Sequence, residues 1–102
     1  MIEITEEQRE VLKLAIEIYG EENQIDKCIE EMAELTQALL KWRHSENAED
    51  YKSGFDYLAL MGEVADVRIM IEQVIMIYGE ESTKEMIGRK IKRLAYRLHE
   101  EV

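Results

Sequence analysis

The stretch "MGEVADVRIMIEQV", from Met61 to Val74, is long enough for four turns of helix and is apolar on nearly every side. Its Met, Ala and Glu residues lose little conformational freedom in a helix, and the whole chain contains no proline. A helix that is apolar all round is buried among other elements. The stretch therefore predicts an all-α protein in which this segment forms a buried helix, to which we refer as the central helix.

Two helices are predicted before the central one. The first begins at Thr5, which has capping-box spacing to Gln8, and ends near Gly20. The second covers about residues 22–43, where apolar side chains recur at helical spacing.

The central helix and the one after it are separated by a glycine. We expect the central helix to run over 55–78 and to end at Gly79. Ser82 and Glu85 have capping-box spacing, which predicts that the fourth helix starts at this serine and continues to about Glu100.

The length of 102 residues predicts one domain that spans residues 1–102. The polar segment 44–54 is the one clear loop, and a short helix inside it would make the four-helix bundle a five-helix bundle. So small a chain has a modest core, and a central helix buried on all sides needs more cover than three neighbours give. We therefore expect an oligomer, either a homodimer or a homotetramer.

The formal net charge of −10 argues against binding of a nucleic acid polymer, which selects basic proteins. A small polyanion would also need cations to approach. The single cysteine, Cys28, excludes an internal disulfide, the N-terminal segment has no apolar signal sequence, and charges interrupt every apolar run. These features predict a cytoplasmic protein that does not enter a membrane.

Two carboxylates interrupt the central helix. Between Leu58 and Ile71 the only charged residues are Glu63, Asp66 and Arg68. The two acids lie about 60° apart on a helix surface and share their side with small and apolar residues. A carboxylate directed into an apolar interior is costly unless it is neutralised, paired or bound to a metal.

The second helix carries a matching pair, Glu31 and Glu34, preceded by Glu30 on a more solvated side. Antiparallel packing of the two helices would cluster four carboxylates, for which Mg²⁺ or Mn²⁺ is the natural counter-ion. The alternative is that the acids are ordinary solvated surface. A di-iron site is disfavoured, because His44 and His99 do not have the required Glu-x-x-His spacing.

The segments "EEMAEL" (30–35) and "GEVADV" (62–67), followed by the basic "KIKRLAYRL" (90–98), resemble the ordered motifs of the MazG-like, all-α nucleoside triphosphate pyrophosphohydrolases. The resemblance covers about residues 25–98. It implies a Mg²⁺-dependent enzyme, an oligomeric helical bundle, that cleaves NTPs or dNTPs to NMP or dNMP and pyrophosphate. Direct attack of water, without a covalent intermediate, is the expected mechanism.

The same resemblance assigns residues by position. Glu31, Glu34, Glu63 and Asp66 would be the metal ligands, and Glu31 would thereby also be catalytic. Glu30 matches the first glutamate of the motif and would act as a catalytic residue, either by orienting the attacking water or by supporting the metal ligands from behind.

Three further residues are candidates for substrate binding. Lys90 and Arg93 would contact the phosphates of the leaving pyrophosphate, although the basic helix flank also suits a solvated surface. Trp42 would stack on the base or belong to the core. Two other functions stay open, namely a non-enzymatic helical interaction protein and a phosphoribosyl-ATP pyrophosphohydrolase.

Overall fold

The computed structural model describes residues 2–44 and 55–101, and no strand occurs within these two ranges. They form four helices in chain order: α1 (Glu6–Tyr19), α2 (Glu21–Arg43), α3 (Phe55–Tyr78) and α4 (Glu80–Glu101). The all-α, four-helix prediction is confirmed. A fifth helix, if one exists between 44 and 54, would lie almost entirely outside the described residues.

The start and end of α1 follow the sequence signals. The Thr5 hydroxyl accepts a hydrogen bond from the Gln8 backbone N–H (3.1 Å), and the Gln8 side chain accepts one from the Thr5 N–H (2.9 Å). Gly20 then adopts φ +94°, which glycine tolerates and other residues rarely do, so α2 begins at the very next residue.

The predicted start of α4 at Ser82 is wrong, because the helix begins two residues earlier, at Glu80. Gly79 has φ +145°, and this one residue is enough to break the chain direction between α3 and α4. The Thr83 N–H and hydroxyl both donate to the Gly79 carbonyl, at 3.3 and 2.7 Å. Ser82 therefore lies inside the first turn and does not cap the helix.

The helix α3 contacts each of the other three helices and packs most extensively against α2. The single chain does not bury α3 on all sides as the sequence predicts, because some of its large apolar side chains, such as Val64, are exposed. Cys28, Leu60 and Met70 are the buried apolar residues of this core. Two glutamines are buried with them and link three helices. Gln24 Nε2 donates to Gln73 Oε1 (2.8 Å), and Gln73 Nε2 donates to the Leu12 carbonyl of α1 (3.2 Å).

Every described residue of α4 except Thr83 is exposed, although the apolar stripe of this helix suggests that it faces a core. The four residues of this stripe, which are 47% to 61% exposed, are Ile87, Ile91, Leu94 and Leu98. The contact of α4 with α3 is far less extensive than that of α2 with α3, so none of the other described helices covers the stripe. None of the four helices, within the described residues, has an apolar run of the length that a membrane crossing requires.

Candidate metal centre

The packing of α2 on α3 brings three of the predicted acids together. One carboxylate oxygen from each of Glu31, Glu63 and Asp66 lies within 4.8 Å of the other two. Glu31 comes from α2, and the other two acids lie on one side of α3, because residues three apart on a helix are neighbours. We refer to these three residues as the acidic triad.

The three side chains of the acidic triad are buried to different degrees and are incompletely hydrogen-bonded. Glu31 is only 7% exposed, Glu63 is half-buried and Asp66 is exposed. Among the described residues, Glu31 Oε2 and Glu63 Oε2 are buried without a hydrogen-bond partner. Buried anionic oxygens of this kind cost free energy unless a cation or a donor satisfies them.

Lys27 partly compensates the triad. Its Nζ lies 3.2 Å from Glu31 Oε1, and the hydrogen bond to Glu31 is the main reason that the pKa of Lys27 is raised. The lysine leaves the second Glu31 oxygen unsatisfied. Lys27 is not among the residues that the sequence predicts for the site, although its four-residue spacing to Glu31 on one helix is a signal for this ion pair.

Two other predicted site residues, Glu34 and Glu30, are not members of the triad. Glu34 is exposed but lies near the triad. The negative charge of Glu31, then desolvation and then the charge of Glu63 raise the pKa of Glu34. Glu30 is exposed on α2, on the more solvated side that the sequence predicts.

An open groove of about 580 Å³ adjoins the triad between α2 and α3. Glu34 and Glu63 line its acidic part, and Lys41 and Trp42 also line it. The Trp42 ring is half-buried and tilted by 56° against the Tyr57 ring, with 6.1 Å between the ring centroids. Trp42 thus packs against α3 and also lines the groove, and its stacking on a base stays a prediction.

The structure does not bring Lys90 and Arg93 to the triad of their own chain. Both are exposed on α4, and neither lines the groove. Glu63 precedes the break at Gly79 by about 24 Å of helix, and Lys90 follows it by about 16 Å. Because α4 does not pack along α3, these lengths keep the basic flank of α4 away from the triad.

The donor set fits a hard divalent cation. All three triad side chains offer carboxylate oxygens, which Mg²⁺ and Mn²⁺ prefer, and no His or Cys belongs to the described cluster. The two unsatisfied oxygens of Glu31 and Glu63 are what such a cation would bind. No known protein family, curated protein or solved structure matches this chain.

Proposed function

We propose that this protein is a metal-dependent nucleoside triphosphate pyrophosphohydrolase that converts an NTP or dNTP to the monophosphate and pyrophosphate. The observation that carries the proposal is the pair of buried, unsatisfied carboxylate oxygens on Glu31 and Glu63, beside Asp66 and at a groove that holds an aromatic ring. The resemblance of the two acidic motifs to the MazG-like enzymes supports the same reaction.

Glu31, Glu63 and Asp66 are the residues that would hold Mg²⁺, for which Mn²⁺ is a substitute. When bound, such an ion neutralises phosphate charge and lowers the pKa of bound water. This charge compensation matters here because a chain with a net charge of −10 would otherwise repel a triphosphate.

The groove supplies contacts for the rest of the nucleotide. Trp42 offers a ring face on which a base stacks, and the Lys41 ammonium offers a donor to a phosphate oxygen. Glu34 lines the groove beside Glu63, whereas Glu30 does not line it, so Glu34 is better placed to accept a hydrogen bond from the attacking water.

The proposed reaction is a single displacement. The water oxygen bonds to the α-phosphorus, the bond from this phosphorus to the bridging oxygen breaks, and pyrophosphate leaves with that oxygen. The water proton passes to a carboxylate and then to solvent. Cys28 is unsuited to nucleophilic attack, because it is buried and its desolvation raises the pKa of the thiol.

A matched pair of variants tests the assignment. Glu63→Gln and Glu17→Gln each remove one negative charge, but Glu17 is exposed on α1, outside the triad. We expect Glu63→Gln to lower pyrophosphate release from NTPs at least about 100-fold, as expected for loss of a metal ligand, and Glu17→Gln to retain it. Equal activity of the two variants would refute the site.

The same assay separates the proposal from its alternatives. Inclusion of phosphoribosyl-ATP in the substrate panel tests the related pyrophosphohydrolase activity, which would use the same triad. An interaction protein would release no pyrophosphate from any substrate. The proposed reaction on free nucleotides belongs to the cytoplasm, where it would control the nucleotide pool.

A further inference from the structure

The isolated chain exposes far more surface than a compact protein of its mass. Its accessible surface is 8698 Å², whereas a compact monomer of 12.0 kDa exposes about 6,000 Å². Its radius of gyration is 16.8 Å, against about 13 Å for a compact domain of this length. The excess surface is therefore about 2,700 Å².

Among the described residues, α4 carries six of the 20 exposed large apolar side chains, more than any other helix. Ile87, Ile91, Leu94 and Leu98 follow a spacing of four, three and four residues, which places them on one face of the helix. Each is about half exposed or more. Such a face in a single chain marks a surface that another chain covers.

The charge on α4 complements the rest of the same chain. From Lys84 to Arg97 there are six cations and one acid, while α2 and α3 together carry ten acids and four cations. The basic helix α4 thus belongs to a chain whose helices α2 and α3 are acidic. Surfaces of opposite charge steer association and fix which faces meet.

We propose that the apolar stripe of α4 is a self-association surface that packs on the α1–α3 body of a second copy of this chain. A stable interface needs about 800 Å² from each partner, and obligate homodimers bury more, so the excess surface is sufficient. The body also exposes apolar side chains that could receive the stripe, such as Val11, Ile18 and Ile29.

A second copy is the occupant that the charges favour. In a two-fold arrangement α4 of each copy packs on the other copy, which places the cations of one chain next to the acids of its partner. Lys90 and Arg93, which do not reach the triad of their own chain, then face an acidic body. The proposal does not depend on enzymatic activity, since an interaction protein would use the same surface.

The oligomeric state tests this proposal. Light scattering coupled to size-exclusion chromatography, over a range of micromolar concentrations, measures the mass of the full chain. We expect at least twice the chain mass of 12.0 kDa. A mass of 12.0 kDa at every concentration overturns the proposal, whether or not the monomer then binds another protein or lipid vesicles.

Two substitutions on α4 locate the surface. Ile91→Glu and Tyr96→Glu introduce the same charge at positions that are 61% and 68% exposed and lie about 140° apart around the helix. We expect Ile91→Glu to shift the mass to that of a monomer and Tyr96→Glu to leave the oligomer intact. Loss of the oligomer in both variants, or in neither, overturns the assignment.

A milder variant keeps the test valid if Ile91→Glu does not fold. Circular dichroism reports helical content, and Ile91→Ala with Leu94→Ala preserves helix propensity while it removes apolar area. We expect this double variant to raise the dissociation constant at least about tenfold. An unchanged dissociation constant would overturn the proposal.

Discussion

Replacement of Glu63 by glutamine tests whether repulsion among the carboxylates of the acidic triad destabilises the metal-free protein. The change preserves the shape of the side chain, removes one of three clustered negative charges and introduces an amide N–H₂. That group can donate to Glu31 Oε2, which has no partner among the described residues. We therefore expect Glu63→Gln to stabilise the metal-free protein.

The magnitude follows from the geometry of the triad. At 4.8 Å, two unit charges repel by about 0.9 kcal/mol at the dielectric constant of water and about 3.5 kcal/mol at a value of 20. The exposure of Asp66 and the ion pair between Lys27 and Glu31 reduce the net repulsion. We expect the free energy of unfolding to rise by about 1–3 kcal/mol, or about 4–8 °C in Tm for each kcal/mol.

Thermal unfolding followed by circular dichroism in EDTA, and then in MgCl₂ or MnCl₂, measures both parts of this prediction. The wild type should gain stability from the metal, by about 2.7 kcal/mol when the free ion reaches a hundred times its Kd. Glu63→Gln should lose that gain. Glu17→Gln removes the same charge outside the triad and should melt like the wild type under both conditions.

Two results would refute this reasoning. A lower Tm for Glu63→Gln in EDTA would mean that the carboxylate stabilises the fold and is not a strained metal ligand. A metal-dependent stabilisation equal to that of the wild type would mean that the cation, if it binds, binds elsewhere.

Three further substitutions or reactions test the packing. Gln73→Leu should lower the free energy of unfolding in urea by about 2–4 kcal/mol, because Gln24 and a backbone carbonyl lose a buried partner; a loss below about 0.5 kcal/mol would contradict the buried network. Gly79→Ala should cost about 1–3 kcal/mol in the same assay through its positive φ alone, since the new Cβ meets only ordinary contacts; an unchanged midpoint would argue against the tight break. The Cys28 thiol, 4% exposed and with a raised pKa, should react with a maleimide at least about tenfold faster in urea than in the native state; equal rates would place it at the surface.

Much of the fold could be predicted because local signals set the helix ends. The capping box at Thr5 and the glycines at 20 and 79 act through backbone geometry of a few residues, and sequence displays such geometry directly. The start of α4 was predicted wrongly at Ser82 because the spacing of this serine to Glu85 also satisfies the capping-box pattern. The glycine three residues earlier already allowed the chain to turn, and only the folded backbone decides between the two signals.

The candidate site could be predicted in part for a different reason. Acids three residues apart in an apolar helix indicate a shared side, so Glu63 and Asp66 were identifiable before the partner helix was placed. Which acids of α2 join them depends on the packing of α2 against α3, which places Glu31 in the triad and leaves Glu34 at its edge. The buried pair Gln24–Gln73 could not be predicted from the sequence, because glutamines are usually exposed and do not contribute to a hydrophobic periodicity.

Identification of the products is the decisive experiment for the proposed hydrolysis. Purified protein would be incubated with a panel of NTPs and dNTPs and with Mg²⁺ or Mn²⁺, and the products separated by ion-exchange chromatography. We expect a nucleoside monophosphate and pyrophosphate in equal amounts, and none of either in EDTA. A diphosphate with inorganic phosphate, or no turnover of any nucleotide, would contradict it.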